Sequence, residues 1–154
     1  MKLELLFLGK TRASYLRAGI EDYHGRLRHH AKVDIVVLKE KKGHGTVAQQ
    51  KEEEGMRLLA RGEKASFLVA LDQKGKQVSS EELAQFVNTW EMRGHGTVSF
   101  VIGGPFGLSE EVLKRADFIL SFSKMTLTHE MARLLLLEQL YRAYSIKAGT
   151  GYHK

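Results

Sequence analysis

Thr97-Val98-Ser99-Phe100-Val101-Ile102-Gly103-Gly104-Pro105-Phe106-Gly107-Leu108 is a short apolar run delivered into a glycine loop, and Ser109 follows as a cap for a short helix. Two consecutive glycines let a ligand approach the main chain. Pro105, the only proline in the chain, fixes its own φ and pushes Gly104 away from helical geometry. Such a loop suits recognition by main-chain groups and serves equally as a tight strand-to-helix turn, and the loop alone does not separate the two.

Working outward, the same alternation of strand and helix recurs. Leu3 to Leu8 reads as a buried strand ending at Gly9, and Ser14 caps a helix whose Leu16, Ile20, Tyr23 and Leu27 share one face. Val33, Ile35 and Val37 mark a second strand, and the basic loop Lys41-Lys42-Gly43-His44-Gly45 follows it. Val47 to Arg61 is helical, with Gly62 as its stop and Gly55 as a weak point. Phe67 to Leu71 is a third strand, Asp72 to Lys76 a turn, and Ser79 with Glu82 a capping box for a helix closed by Gly94. Strand Phe118 to Phe122 leads through Ser123–Thr128 into a last helix from about Glu130 to Lys147. This order predicts an α/β fold, a parallel twisted sheet with helices on both faces, in a single domain spanning 1–154. The apolar residues of the last helix spread around more than one stripe, which predicts a homodimer.

Bulk properties narrow the class. With 24 Lys and Arg against 18 Asp and Glu, the net charge of +6 favours a polyanionic partner. No cysteine is present, which removes disulfides, thiol nucleophiles and thiolate metal sites. The seven histidines are scattered without metal-ligand spacing, so no metal is expected. His29 and His30 read as solvated residues at a helix end. No signal peptide or membrane span is legible, and a cytoplasmic location is expected.

Ligands in open α/β sheets gather beyond the carboxyl ends of strands, which here are Leu71-Asp72, Ile102 to Pro105 and Phe122 to Leu127. A Walker A loop, a Gly-x-Gly-x-x-Gly and a Gly-x-Ser-x-Gly are all absent. His129, at the start of the last helix, is a candidate proton shuttle or a capping residue. The tail Gly149-Thr150-Gly151-Tyr152-His153-Lys154 offers an aromatic, an imidazole and an ammonium for stacking on a base and contacting phosphate.

Phe100 to Leu108, Ser121 to His129, Arg133 to Tyr144 and the ending Tyr152-His153-Lys154 together resemble the RlmH family of ribosomal RNA large-subunit methyltransferases over essentially the whole chain. The resemblance implies a SPOUT-type α/β knot, with a C-terminal trefoil, and an obligate homodimer. It implies S-adenosylmethionine as cofactor, held by Leu71, Gly103, Phe122, Ser123, Lys124, Met125, Thr126 and Leu127. It further implies that the tail of one subunit, with Tyr152, His153 and Lys154, covers the cofactor site of the other. The substrate it implies is N3 of a pseudouridine in 23S ribosomal RNA of the assembled ribosome.

Within that chemistry Arg142 is the expected cation beside the developing anion and His153 the base or positioning group, with Tyr152 and His129 as further catalytic candidates. Arg133 is expected to meet phosphate or the partner chain. Phe106 and Gly151 depart from the pattern, where some members are expected to carry Glu and Pro; the first speaks against an essential carboxylate in that loop, and the second frees the tail. The competing reading from another class is a non-catalytic RNA- or ribosome-binding α/β module.

Overall fold

A computed structural model describes residues 1–40 and 45–152. Lys41, Lys42, His153 and Lys154, singled out above, lie outside the described residues. Strands β1 (Lys2–Leu8), β2 (Lys32–Leu38), β3 (Phe67–Gln77), β4 (Thr97–Ile102) and β5 (Phe118–Ser121) form one sheet in the order β2-β1-β4-β3-β5. Every pairing is parallel, as the alternation of strands and helices predicts.

The sheet is central because its strands are apolar on both sides. Leu3, Leu5 and Phe7 of β1 join one core with α1 (Ser14–Leu27), α3 (Ser80–Met92) and α5 (His129–Ala148). Leu6 and Leu8 face the opposite way, into a smaller core with α2 (Val47–Gly62) and α4 (Glu110–Arg115). Helix α5 contacts both α1 and α3. Leu134 therefore packs at Gly19 of α1, and Tyr144 donates to Glu91 of α3 at 2.9 Å. Much of the wide apolar spread on α5 is thus satisfied within the chain.

Three local expectations change. Ser14 is the first helical residue, not a cap, and the N-cap Ala13 has no side-chain cap. The carboxylate of Glu130, far along the chain, instead accepts from the main-chain N–H groups of Arg12 and Ala13. Gly62 lies inside the last turn of α2, buried, and the C-cap is Glu63. Asp72 to Lys76 does not end β3: residues 72–75 bulge out, and Lys76 and Gln77 pair again with Leu120 and Ser121. Gly55 has a packing reason, since a Cβ there would lie 2.2 Å from the Ser109 hydroxyl.

Candidate active site

The carboxyl ends of β3, β4 and β5, together with the start of α1, enclose a crevice of about 850 Å³. That is toward the upper end of the range for small-molecule sites. Its position follows from topology: the chain builds β2 on one side of β1 and then crosses to build β3 on the far side of β4. Of the residues singled out for the cofactor, Leu71, Gly103, Phe122, Ser123, Met125, Thr126 and Leu127 line this crevice, as does His129. Lys124 shares the loop but is exposed and stands outside the crevice wall.

The walls are tied together. Ser121 Oγ donates to the carbonyls of Gln73 and Ser123 at 3.1 and 3.0 Å, and Thr126 Oγ1 donates to Gln73 Oε1 at 3.0 Å. The bulge of β3 and the loop after β5 therefore behave as one unit. Gly75 is the close point of that unit: a Cβ there would lie 2.6 Å from the Ile119 carbonyl oxygen. Gly103 is held as tightly, its Cβ position 2.6 Å from the main chain of Gly107, where the loop turns back on itself. Behind that loop Glu54 is buried, with Oε2 unpartnered among the described residues, and burial raises its pKa.

His129, half-buried at the first position of α5, is the only histidine on the crevice wall among the described residues. Burial, and then the charge of Arg133, lower its pKa, so the imidazole is neutral near pH 7. Arg133 itself corrects the expectation of a phosphate or partner contact. It is fully buried, with its guanidinium donating to the carbonyls of Leu8 and Gly9 at 2.5 and 3.1 Å and to Thr11 Oγ1 at 3.1 Å. Its guanidinium carbon also lies 4.9 Å from the centre of the Phe7 ring. One step of helical arithmetic exposes this role: Arg133, Leu136, Leu137, Leu140 and Tyr144 form the sheet-facing stripe of α5.

Arg142 and Tyr152 are brought to each other, but not to the crevice. The Arg142 guanidinium carbon stands 4.9 Å from the Tyr152 ring centre and pairs with Glu138 at 2.5 Å, which raises the Arg142 pKa. Tyr152 packs 4.6 Å from Tyr141, and its hydroxyl meets that of Tyr23 at 3.0 Å; burial and then this contact push its pKa up to about 12. From His129, thirteen residues of helix at 1.5 Å each put Arg142 roughly 20 Å along α5 from the crevice. Crevice residues unseen in the sequence include Tyr15 of α1 and Lys51 of α2, neither on a strand end.

A sequence profile described as "Predicted SPOUT methyltransferase" matches residues 1–153. At 53% identity the chain is similar to ribosomal RNA large subunit methyltransferase H of Desulfotalea psychrophila, with 100% of both chains covered. At 42% identity it is similar to the protein of the same name from Clostridium novyi, again over 100% of both. Among solved structures, a probable methyltransferase from Bordetella pertussis shares the fold with a TM-score of 0.59 at 12% identity, covering 93% of this chain and 96% of that one. A putative methyltransferase from Legionella pneumophila, solved with bound SAM, does so with a TM-score of 0.53 at 13% identity, covering 93% and 66%. The chain belongs to the ribosomal RNA large subunit methyltransferase H family of SPOUT methyltransferases.

Proposed function

We propose that this protein transfers a methyl group from S-adenosylmethionine to N3 of a pseudouridine in 23S ribosomal RNA, in the assembled ribosome, and that it works as a homodimer. The observation that carries the reading is the convergence of seven of the eight expected cofactor residues on one crevice, in a chain of the RlmH family. The fit to the cofactor is chemical. Leu71, Ile102, Leu120 and Leu127 offer apolar walls for a flat purine, and the main chain of Gly103 and of the loop after β5 offers hydrogen bonds to its edge. Asp72 and Thr126 add polar side chains for a ribose or an amino acid end.

S-Adenosylmethionine supplies an electrophilic methyl group, so this chain needs no covalent nucleophile. Its residues must orient N3, keep water out and handle the N3 proton. Neutral His129 is available in the crevice as a proton acceptor beside the expected His153. Arg142 is the cation for the developing anion, and Tyr152 positions it. In one chain these two stand apart from the crevice, and a twofold dimer removes the separation. Met131, Leu135, Glu138 and Arg142 fall at spacings of four, three and four on the face of α5 turned away from the sheet. Antiparallel pairing of two such faces sets Arg142 of one protomer beside Met131 of its partner, at the mouth of the partner's crevice. The knot is part of this proposal and rests on membership of the SPOUT methyltransferase family. A cytoplasmic site of action accords with an RNA substrate; among the described residues no helix is long and apolar enough to cross a membrane, and no group of three or more acidic or His residues could hold a metal.

The test is methyl incorporation from labelled S-adenosylmethionine into intact ribosomes lacking the modification, with mass mapping of the nucleoside. The reading expects 3-methylpseudouridine. Cofactor binding with the label on another nucleoside would overturn the substrate, and neither binding nor incorporation would favour a non-catalytic module.

A further inference from the structure

The net positive charge is not spread evenly, and the crevice does not absorb its densest run. Between Asp22 and Asp34 the sequence holds His24, Arg26, Arg28, His29, His30 and Lys32 and no acidic residue. A helix C-terminus favours a cation or two. Three cations, Arg26, Arg28 and Lys32, with three imidazoles set among them, fall within nine residues at and just beyond the end of α1 and exceed that need. Arg26, Arg28, His29, His30 and Lys32 are all exposed, and among the described residues only Arg26 of these has an ion pair, to Asp22.

This strip is not isolated from the chemistry. The His30 ring lies 5.7 Å from Tyr141, Tyr141 lies 4.6 Å from Tyr152, and Arg142 stands over Tyr152. A continuous basic and aromatic surface therefore runs from the end of α1 to the two residues expected at the target base. Cations that neutralise phosphates, interleaved with rings that accept a stacked base, are the features of a single-stranded RNA surface. The crevice is sized for a cofactor and the reacting base, so strand on either side of that base needs a separate seat.

We propose that the basic end of α1, Arg26 to Lys32, is the docking surface for the ribosomal RNA backbone flanking the target nucleotide, continuous with Tyr141 and Tyr152. This rests on the reading of the chain as a ribosomal RNA methyltransferase. In the dimer described above, each strip flanks the crevice of the partner protomer.

The experiment compares three proteins for binding to intact ribosomes lacking the modification, across a potassium chloride series, with S-adenosylmethionine affinity measured alongside. They are the wild type, Arg28→Glu with Lys32→Glu, and the charge-matched control Lys64→Glu with Lys114→Glu, whose exposed lysines belong to the α2 end and α4. The strip variant is expected to bind ribosomes about tenfold or more weakly, with a shallower salt dependence, because it has lost phosphate contacts. Its cofactor affinity stays at the wild-type value, and the control changes about twofold or less. Arg28→Gln with Lys32→Gln, which removes charge without reversing it, falls between. Equal weakening of strip and control variants, or none in either, overturns the docking surface while the wild type still methylates. A wild type that binds S-adenosylmethionine but neither binds nor methylates ribosomes overturns the underlying RNA reading and the strip with it.

Discussion

Arg133 on α5 donates through its guanidinium to the carbonyl of Gly9 at 3.1 Å, spanning 124 residues of sequence and fastening the end of β1 to the helix that opens at the crevice. The charge is buried, with no carboxylate within ion-pair distance among the described residues, and burial lowers its pKa. Its compensation comes from three oxygen acceptors and the face of Phe7.

Arg133→Ala removes those donors, strands the carbonyls of Leu8 and Gly9 and leaves a cavity. A loss of roughly 3 kcal/mol or more in folding stability is expected. Urea unfolding followed by circular dichroism checks it. A loss below about 1 kcal/mol would mean that water reaches these carbonyls and the buried network is not what holds β1 to α5.

Gly75→Ala places a methyl group against the Ile119 carbonyl and Cγ2, so the main chain of β5 has to shift. The expected cost is about 1–3 kcal/mol in stability. Because the same bulge holds Thr126 and Ser121 through Gln73, S-adenosylmethionine affinity should fall together with stability in calorimetry. Full stability with unchanged affinity would separate the bulge from the cofactor site.

His129 gives a pH signature. Its folded pKa is depressed, so the unfolded chain binds the proton more readily, and stability falls as pH drops below the ordinary value of about 6.5 toward the lowered one. As a proton acceptor it must also be neutral, so the acid limb of kcat should lie below pH 6.5. His129→Asn is expected to remove that limb. A limb left in place assigns proton removal elsewhere.

How much of this was legible can be argued from single residues. The succession of strands and helices along the chain and the three strand ends that enclose the crevice followed from apolar runs, capping residues and glycines, because those signals are local. The hold of the Glu130 carboxylate on the main chain just before α1 was not legible, since its donors, Arg12 and Ala13, lie more than a hundred residues away in sequence. The bulge at residues 72–75 looked like a turn because glycine and polar residues mark both, and only pairing with β5 tells them apart. Arg142 and Tyr152 were each named as site residues from the resemblance, but their contact with each other and their distance from the crevice depend on the length of α5, the path of the tail and which chain completes the site.

That last point is the centre of the account and has a direct measurement. Gly103→Val, which blocks the crevice, and Arg142→Ala, which removes the cation, are co-expressed with different tags, and the mixed dimers are assayed for methylation of unmodified ribosomes. If each site joins the crevice of one protomer to Arg142 of its partner, each mixed dimer keeps one intact site of two, so mixed dimers isolated on both tags recover about half of the wild-type rate and the unfractionated mixture about a quarter. If the site is built within one chain, every mixed dimer carries two broken sites, and the mixture stays as inactive as its parents.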